Sequence, residues 1–234
     1  QSFFCLLVLM VAGFAAWRAK SYSLRRSVIL GIAIGTTLPF RSVLVFFPPV
    51  LAFFDWLRLR GRAVRPAWKP LAAVALLPYL FAIPWIAMNW VVHHRFIALE
   101  NGESNASVVA GALGLVRKVE WNWQSLLDGS VDSGSNGEVL AWAVREVLHH
   151  PVRYAWSYWL RLRYVILLHP VLFLLAGLGF WINRARREVQ AVGLLAAYYL
   201  AIYCFMAVSP DYFESLWPLL AVLGASCLVG LVQW

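Results

Sequence analysis

The sequence predicts an all-α, polytopic membrane protein, because its composition, its long apolar runs and the placement of its basic residues agree with that class. Hydrophobic residues make up 62% of the 234 positions and charged residues 13%, and the mean hydropathy is +0.70. A water-soluble domain of this length could not bury so much apolar surface. The formal net charge of +9 would suggest a nucleic-acid partner in a soluble protein. Here the basic residues cluster in short segments between apolar runs, which indicates membrane topology, with membrane lipid rather than nucleic acid as the partner.

Seven apolar segments are predicted to form helices. The fourth, fifth and sixth contain 23, 19 and 20 residues, close to the roughly 20 residues that cross a hydrocarbon core of about 30 Å. Within the second segment, GIAIG (31–35) places two glycines four residues apart, a spacing typical of close helix packing. The segments are 2–17, 27–40, 42–57, 70–92, 164–182, 189–208 and 216–233.

The second and third segments are predicted to form a hairpin of two short helices over residues 27–57. Four residues interrupt these 31 positions: Pro39, Arg41, Pro48 and Pro49. One straight helix of this length would be about 46 Å long, too long to cross a membrane without strong tilt. Basic loops at 18–26 and 58–69 flank the hairpin, and cytoplasmic loops carry an excess of Lys and Arg. Both loops therefore belong in the cytoplasm, which requires the chain to turn back near Pro39–Arg41.

The same rule orders the rest of the chain. Residues 183–188 contain three arginines and are predicted to be cytoplasmic, so that residues 93–163 and 209–217 are external. Nine of the eleven acidic residues lie in these two external segments. The chain divides into three predicted regions: the first membrane helices (1–92), a long external loop region (93–163) and the C-terminal membrane helices (164–234).

The external region contains one predicted amphipathic helix, which we expect to lie on the membrane surface. Five apolar residues recur at helical spacing, opposite Arg145 and Glu146: Val139, Leu140, Ala143, Val147 and Leu148. A stripe of this kind is typical of a helix in the membrane interface. Pro151 ends the pattern. A run rich in Tyr, Trp and Arg follows at 154–164 and is predicted to form an interfacial belt that leads into the next span.

Arg41 is the most informative single charge in the sequence. An ionised side chain between two apolar runs is costly at membrane depth, and such residues often line a pathway or hold an anion. The alternative is that the hairpin turn reaches the outer interface, where Arg41 only extends its charged end to water. The sequence leaves both interpretations open.

Three adjacent polar residues, His93, His94 and Arg95, follow the fourth apolar segment. They could bind a phosphate or transfer a proton, or they could simply be polar lining at the membrane interface. Adjacent histidines do not share a helix face, so chelation of a metal ion by this pair is not predicted. The chain also has no zinc spacing, phosphate-binding glycine loop or nucleophile elbow, and no resident cofactor or metal ion is predicted.

Asp211 and Glu214 lie three residues apart in the short external segment. If this segment starts as a helical turn, both carboxylates share one face and could contact a hydroxyl-bearing substrate or a cation. Asp211 is also well placed as the N-terminal cap of a helix. The first interpretation places Asp211 inside a helical turn, whereas the second places it just before the first helical residue.

Taken in order, three stretches resemble the GT-C superfamily of polyprenyl-phosphate-dependent membrane glycosyltransferases, especially bacterial relatives of protein O-mannosyltransferases and aminoarabinose transferases. VILGIAIGTTLPFRSVLVFFPPVLAFF is similar to their glycine-rich helix, break at Arg/Pro and second helix. PWIAMNWVVHHRFIALENGESNA is similar to a stretch that ends a membrane helix and opens an external loop, and PDYFESLWPLLAVLGAS to a segment near their final spans. The residues that match are Trp85, Asn89, Tyr212 and Pro218, with Arg41 at the helix break.

The resemblance implies transfer of a sugar from a polyprenyl-phosphate donor on the outer face of a bacterial inner membrane. It implies that the donor phosphate is bound near Arg41, Asn89, His93, His94 and Arg95, and that the sugar or acceptor is contacted by Asp211, Tyr212 and Glu214. In that family, catalysis depends on an acidic residue in the first external loop. Here we expect that loop to precede Gln1, so that the chain is the C-terminal half of such an enzyme.

A non-catalytic membrane subunit, which keeps this fold but serves packing within a larger complex, is the second hypothesis. The chain has Met88, and the pair Pro210–Asp211, where the family has arginines near the lipid phosphate. Thirteen tryptophans, many in interfacial regions, could pack against other membrane subunits or lipid. A transporter is the third hypothesis, but the sequence lacks the paired intramembrane charges and matched broken helices expected of that class.

Overall fold

The described part of the chain is helical. In the computed structural model it comprises residues 2–60, 68–94, 105–118, 123–127, 131 and 136–232. Within these ranges there are eleven α-helices, three short 3-10 turns and one isolated β-bridge, so the all-α prediction is confirmed for these residues. The helices are α1 (Ser2–Lys20), α2 (Leu24–Thr37), α3 (Phe47–Arg60), α4 (Trp68–Leu80), α5 (Ala82–His93), α6 (Asn105–Ala112), α7 (Asn136–His149), α8 (Pro151–Leu168), α9 (Pro170–Ile182), α10 (Arg187–Phe205) and α11 (Leu216–Val232). The 3-10 turns are Ser42–Phe46, Trp123–Leu126 and Pro210–Phe213.

Four of the described helical stretches are long and apolar enough to cross a membrane: Ser2–Lys20, Ser42–Arg60, Trp68–Val92 and Arg187–Phe205. Helices α8 and α9 pass the same test only as a bent pair, which gives up to five spans. The chain therefore has the apolar helices of a multi-pass membrane protein. The seven predicted apolar segments do not become seven spanning helices within the described residues, because α2 has 14 residues and the apolar part of α11 is also short.

The predicted span 164–182 is wrong in its boundaries. Residues 164–168 form the end of α8, which starts much earlier at Pro151, and α9 begins only at Pro170. His169 lies between the two helices with φ −143° and ψ 65°, outside the helical region. Proline cannot continue a helix because it lacks the N–H donor and restricts the residue before it, but it is well suited to the first position of a new helix.

The chain folds into two compact units. The first unit comprises Gln1–Leu99, Leu172–Tyr199 and Ser215–Trp234, and the second comprises Glu100–Val171 and Leu200–Glu214. The chain passes between the two units four times, at 99–100, 171–172, 199–200 and 214–215. The predicted division into regions 1–92, 93–163 and 164–234 remains a prediction.

The first unit contains the predicted hairpin as a reversal of the chain between α2 and α3. The turn lies at 38–41, near Pro39–Arg41 as the sequence indicates. Arg18, at the end of α1, hydrogen-bonds both Ser27 at the start of α2 and Asp55 near the end of α3. The start of α2 and the end of α3 therefore meet at the same end of α1.

Helix α2 packs closely against α4 through its two glycines, which confirms the helix-packing prediction for GIAIG. A Cβ atom added to Gly35 would lie 2.5 Å from Cδ2 of Phe81, and one added to Gly31 would lie 3.2 Å from the backbone oxygen of Ala73. Larger side chains at these two positions would separate the helices.

The second unit has its own core, built around α6 and α7. Val109 and Ala112 of α6 pack with Val139, Trp142 and Ala143 of α7, all of them buried. The predicted surface helix therefore turns part of its apolar stripe, Val139 and Ala143, into this core rather than toward lipid. Two other residues of the stripe, Leu140 and Leu148, are exposed.

Candidate functional site

Arg41 immediately precedes the 3-10 turn that leads into α3, in an extended conformation with φ −155° and ψ 130°. Its side chain is half-buried, and its guanidinium carbon lies 5.6 Å from the ring centroid of Phe4, a cation–π contact. The turn is held by Tyr198, whose hydroxyl donates to the Val43 carbonyl (2.6 Å) and accepts from the Phe46 N–H (3.2 Å). Arg41 is thus presented from a well-anchored turn.

Asn89 lies on the buried side of α5, with 4% of its surface exposed, and it makes a polar contact within the protein. Met88, at the position where the resemblance expects an arginine, is 50% exposed, and its apolar neighbours Trp90 and Val91 are also exposed. The helix therefore turns an apolar face outward and keeps its single amide inside. An exposed face of this kind is suited to hydrocarbon.

His94 ends α5. Its backbone has φ 51° and ψ 28°, in the left-handed region, and its N–H donates to the Trp90 carbonyl at 3.0 Å. Left-handed residues at this position commonly terminate helices, although glycine or asparagine is more usual there. His93 is the last residue of α5, and its side chain lies outside the described residues, as does all of Arg95. The predicted phosphate-binding role of this trio therefore remains a prediction.

Asp211, Tyr212 and Glu214 are brought together in one loop of the second unit. Pro210–Phe213 forms a 3-10 turn whose N-cap is Ser209, so the prediction that Asp211 is a helix cap is wrong. Asp211 is exposed inside the first turn, and Glu214 follows as the C-cap in a helical conformation. A 3-10 turn has three residues per turn and places residues i and i+3 on the same side. Asp211 and Glu214 therefore share a face.

Tyr212 anchors this loop to α6. Its hydroxyl lies 2.8 Å from Oγ of Ser107, and its ring stacks on Tyr203 at a centroid distance of 5.1 Å. The residues just before the loop are fixed to the same region, because the Ala207 N–H donates to the Ser107 carbonyl at 3.0 Å and the Val208 N–H to the Val116 carbonyl at 2.9 Å. The exposed Asp211 is therefore held on a rigid support, as a binding group requires.

The sequence did not identify Arg161, which is the most completely buried cation of the second unit. Its guanidinium donates to four backbone carbonyls: Gly111 (2.6 Å), Leu115 (3.0 Å), Cys204 (3.2 Å) and Phe205 (3.2 Å). These carbonyls lie at the C-terminal ends of α6 and α10. Helix C-termini carry partial negative charge and carbonyls without intrahelical partners, so they can solvate a buried cation. Arg161 acts as a shared cap for the two helices.

A second buried cluster in the first unit joins Arg18, Tyr22, Ser27 and Asp55. Arg18 and Asp55 form an ion pair with 2% and 3% of their surfaces exposed. Nε of Arg18 also donates to Ser27 Oγ (2.7 Å), and the Tyr22 hydroxyl donates to the second carboxylate oxygen of Asp55 (2.9 Å). Arg18 belongs to the loop 18–26, which is predicted to be cytoplasmic. It is the one basic residue of that loop, which the structure describes throughout, that is buried.

Burial and the neighbouring Asp55 carboxylate raise the pKa of Tyr22 to about 12. Desolvation is the largest cause, followed by the charge of Asp55 and by the hydrogen bond that the neutral phenol donates to it. Tyr22 therefore stays protonated over the physiological range and serves as a donor rather than as a base.

The polar groups of the described residues are thus mostly committed to the fold. Arg161 donates to four backbone carbonyls, and Arg18 donates through Nε and Nη1 to Ser27 and Asp55, although its buried Nη2 has no hydrogen-bond partner among the described residues. No group of three His, Cys, Asp or Glu side chains that could hold a metal ion occurs in the described ranges. Among the predicted site residues, Asp211 is exposed and Arg41 is half-buried, and the two belong to different units. Comparisons of the chain with protein-family models, with curated proteins and with solved structures found no match.

Proposed function

We propose that the chain is the membrane-embedded part of a glycosyltransferase that uses a polyprenyl-phosphate sugar donor. The observation that carries the proposal is the loop at 209–214, where Asp211 and Glu214 share a face and Tyr212 is fixed to Ser107 and Tyr203. Paired carboxylates on a rigid support suit recognition of sugar hydroxyls, because a carboxylate accepts strong hydrogen bonds from them. The three stretches that resemble GT-C glycosyltransferases supply the substrate class.

In this proposal the chain's own residues bind and orient the substrates, and no catalytic base is assigned among them. Arg41 binds the donor phosphate, and Asn89, His93, His94 and Arg95 are the other residues that the resemblance assigns to it. Asp211 and Glu214 contact the sugar or the acceptor. The protein lies in a bacterial inner membrane, and the basic loops 18–26, 58–69 and 183–188 face the cytoplasm, because cytoplasmic loops are enriched in Lys and Arg.

A non-catalytic membrane subunit is the second candidate, and the contacts of the proposed donor site favour it. The Arg41 guanidinium already lies over Phe4, Asn89 is 4% exposed, and the exposed Met88 contributes no cation. A phosphate site normally gathers several cationic or N–H donors. Under this candidate, the same residues pack the fold, and the exposed apolar face of α5 meets another membrane protein.

Binding of polyprenyl phosphate to the purified chain separates the two candidates. The proposal predicts that Arg41→Gln weakens binding about tenfold, the effect of roughly 1.4 kcal/mol from a lost charge-assisted contact. Arg25→Gln removes the same charge from an exposed position of α2 and is the matched control. Absence of binding, or equal binding by both variants, would favour the non-catalytic subunit.

The carboxylates are tested by comparing two ligands that differ only in the sugar. Asp211→Asn should weaken binding of the sugar-bearing donor and leave binding of bare polyprenyl phosphate unchanged, since Asp211 is proposed to contact only the sugar. Equal affinities of wild type and variant for the sugar-bearing donor would remove Asp211 from the site. Isothermal titration in detergent micelles measures both ligands.

A further inference from the structure

Helices α1 and α2 form an apolar groove on the surface of the first unit. The groove has a volume of about 470 Å³ and is lined by Met10, Gly13, Phe14, Trp17 and Ile29. This volume falls within the roughly 300–1,000 Å³ typical of small-molecule sites. Its walls come from α1, which is one of the helices long and apolar enough to cross a membrane. In a membrane, the groove beside this helix would face hydrocarbon rather than water.

A cation lies at one end of the groove. The guanidinium carbon of Arg26 is 4.5 Å from the ring centroid of Trp17, and its Nη1 donates to the Trp17 carbonyl at 2.8 Å. Arg26 also precedes the groove residue Ile29 by three positions on α2, so the two share a helix face. An arginine has five N–H donors in a planar fork that matches phosphate. The contact with Trp17 uses one of them.

The segment around Arg26 is positive in sequence. Lys20 and Arg25 are exposed neighbours along the chain, and the Asp55 carboxylate of the first unit is engaged by Arg18 and Tyr22. Arg26 therefore favours an anion at its end of the groove, and the apolar lining of the groove favours an apolar chain. Trp17 lies in the last turn of α1, and tryptophan is enriched at the level of lipid headgroups.

We infer that this groove binds one anionic phospholipid, with an acyl chain along Met10, Gly13 and Phe14 and the phosphate on Arg26. Charge complementarity selects this occupant over a second protein, because an apolar helix partner would leave Arg26, which contacts the groove residue Trp17, without a counter-charge. The inference concerns residues other than those of the proposed donor site. It stands or falls independently of the glycosyltransferase proposal.

Two glycines provide a matched test of the groove. A Cβ atom added to Gly13 meets no atom within 4 Å, so Gly13→Leu places its side chain in the groove from an unobstructed Cβ. A Cβ added to Gly177, in α9, likewise meets open space, and Gly177→Leu makes the same chemical change in a helix that does not line the groove. Gly13→Ala adds a smaller side chain at the same position, and it replaces the leucine variant in the test if that variant folds poorly.

Native mass spectrometry of the chain in detergent measures binding of phosphatidylglycerol, of phosphatidylcholine with the same acyl chains, and of inorganic phosphate. We expect phosphatidylglycerol to bind more tightly than phosphatidylcholine. Gly13→Leu should weaken both lipids about tenfold, Gly13→Ala less, and Gly177→Leu not at all. Arg26→Gln should weaken phosphatidylglycerol about tenfold, to the level of phosphatidylcholine, whereas Arg25→Gln should change its affinity less than twofold.

Several results would overturn the inference. Unchanged lipid binding by Gly13→Leu, or equal losses in Gly13→Leu and Gly177→Leu, would remove the acyl chain from the groove. Equal affinities for the two lipids, unaffected by Arg26→Gln, would remove the phosphate from Arg26. Inorganic phosphate that binds in an Arg26-dependent manner and is insensitive to Gly13→Leu would identify a free-anion site. A co-purifying protein that Gly13→Leu displaces would identify a protein partner.

Discussion

The buried pair of Arg18 and Asp55 should be one of the strongest single determinants of stability in the first unit. Asp55→Ala removes the carboxylate that accepts from both Arg18 and Tyr22, and it leaves a guanidinium that is 2% exposed without a counter-charge. Breaking a buried ion pair by removing one partner typically costs about 3–5 kcal/mol, because the remaining charge is not hydrated. An exposed pair would contribute only about 0–1 kcal/mol.

The double variant tests the reasoning more sharply than either single change. Replacing both charges, with Arg18→Met and Asp55→Leu, leaves no unpaired ion, and such apolar replacements are often neutral or stabilising by roughly 1–4 kcal/mol. We therefore expect the double variant to lie much closer to the wild type than Asp55→Ala does. The hydrogen bond that Tyr22 donates to Asp55 (2.9 Å) and the one that Ser27 accepts from Arg18 (2.7 Å) are also lost, which limits the recovery.

Equilibrium unfolding in mixed micelles, followed by the loss of helical circular dichroism, measures these free energies. Asp211→Ala, which removes an exposed carboxylate, is the control and should change stability by less than about 0.5 kcal/mol. The reasoning fails if Asp55→Ala costs less than about 1 kcal/mol. It also fails if the double variant loses as much as the sum of the two single changes.

Three further predictions concern packing, a cation and pH. Gly179→Ala should destabilise the chain by roughly 1–3 kcal/mol, because its new Cβ would lie 2.0 Å from the Leu223 carbonyl oxygen. Gly177→Ala in the same helix is the control and should be tolerated. Equal melting temperatures of the two variants would contradict this prediction. Arg161→Lys should cost on the order of 3 kcal/mol, since one ammonium cannot replace the guanidinium contacts to four carbonyls, and a normal melting temperature would argue against the capping role. The pKa of Tyr22 is raised from 10.0 to about 12, so the stability that protonated Tyr22 contributes is fully present below pH 10 and falls as the pH rises toward 12. Tyr22→Phe should flatten this fall in the free energy of unfolding. Identical slopes of stability against pH in the wild type and the variant would contradict the prediction.

Hydropathy and loop charge predicted the helical class and the hairpin because both depend on local sequence. An apolar run of sufficient length forms a helix in lipid wherever its neighbours lie, and GIAIG indicates close packing without naming the partner helix. The same local rules did not give the boundaries of α8 and α9. Hydropathy averaged over 164–182 does not register that Pro170 starts a new helix, or that α8 extends back to Pro151.

The polar contacts were harder to predict because they join distant segments. Arg18 meets Asp55 across 37 positions, and Arg161 meets Gly111 across 50. One signal was available for the first pair, since Asp55 is an acidic residue inside the apolar segment 42–57 and such residues usually have a partner. No comparable signal marks Arg161, because its acceptors are backbone carbonyls, which every residue carries. Within the loop at 209–214, the i,i+3 spacing of Asp211 and Glu214 was sufficient to predict their shared face.

Burial of two arginines changes how the positive charge of the chain should be counted. The loop 18–26 keeps Lys20, Arg25 and Arg26 as accessible cations after Arg18 is removed from the count. In the predicted external region, Arg161 is likewise withdrawn from the surface, and Arg153 pairs with Glu146. The difference in accessible positive charge between these segments, on which the predicted orientation depends, therefore survives the corrections. Arg26, one of the remaining cations of 18–26, contacts the groove residue Trp17, so charge that favours a cytoplasmic position for this loop would also attract an anionic phospholipid.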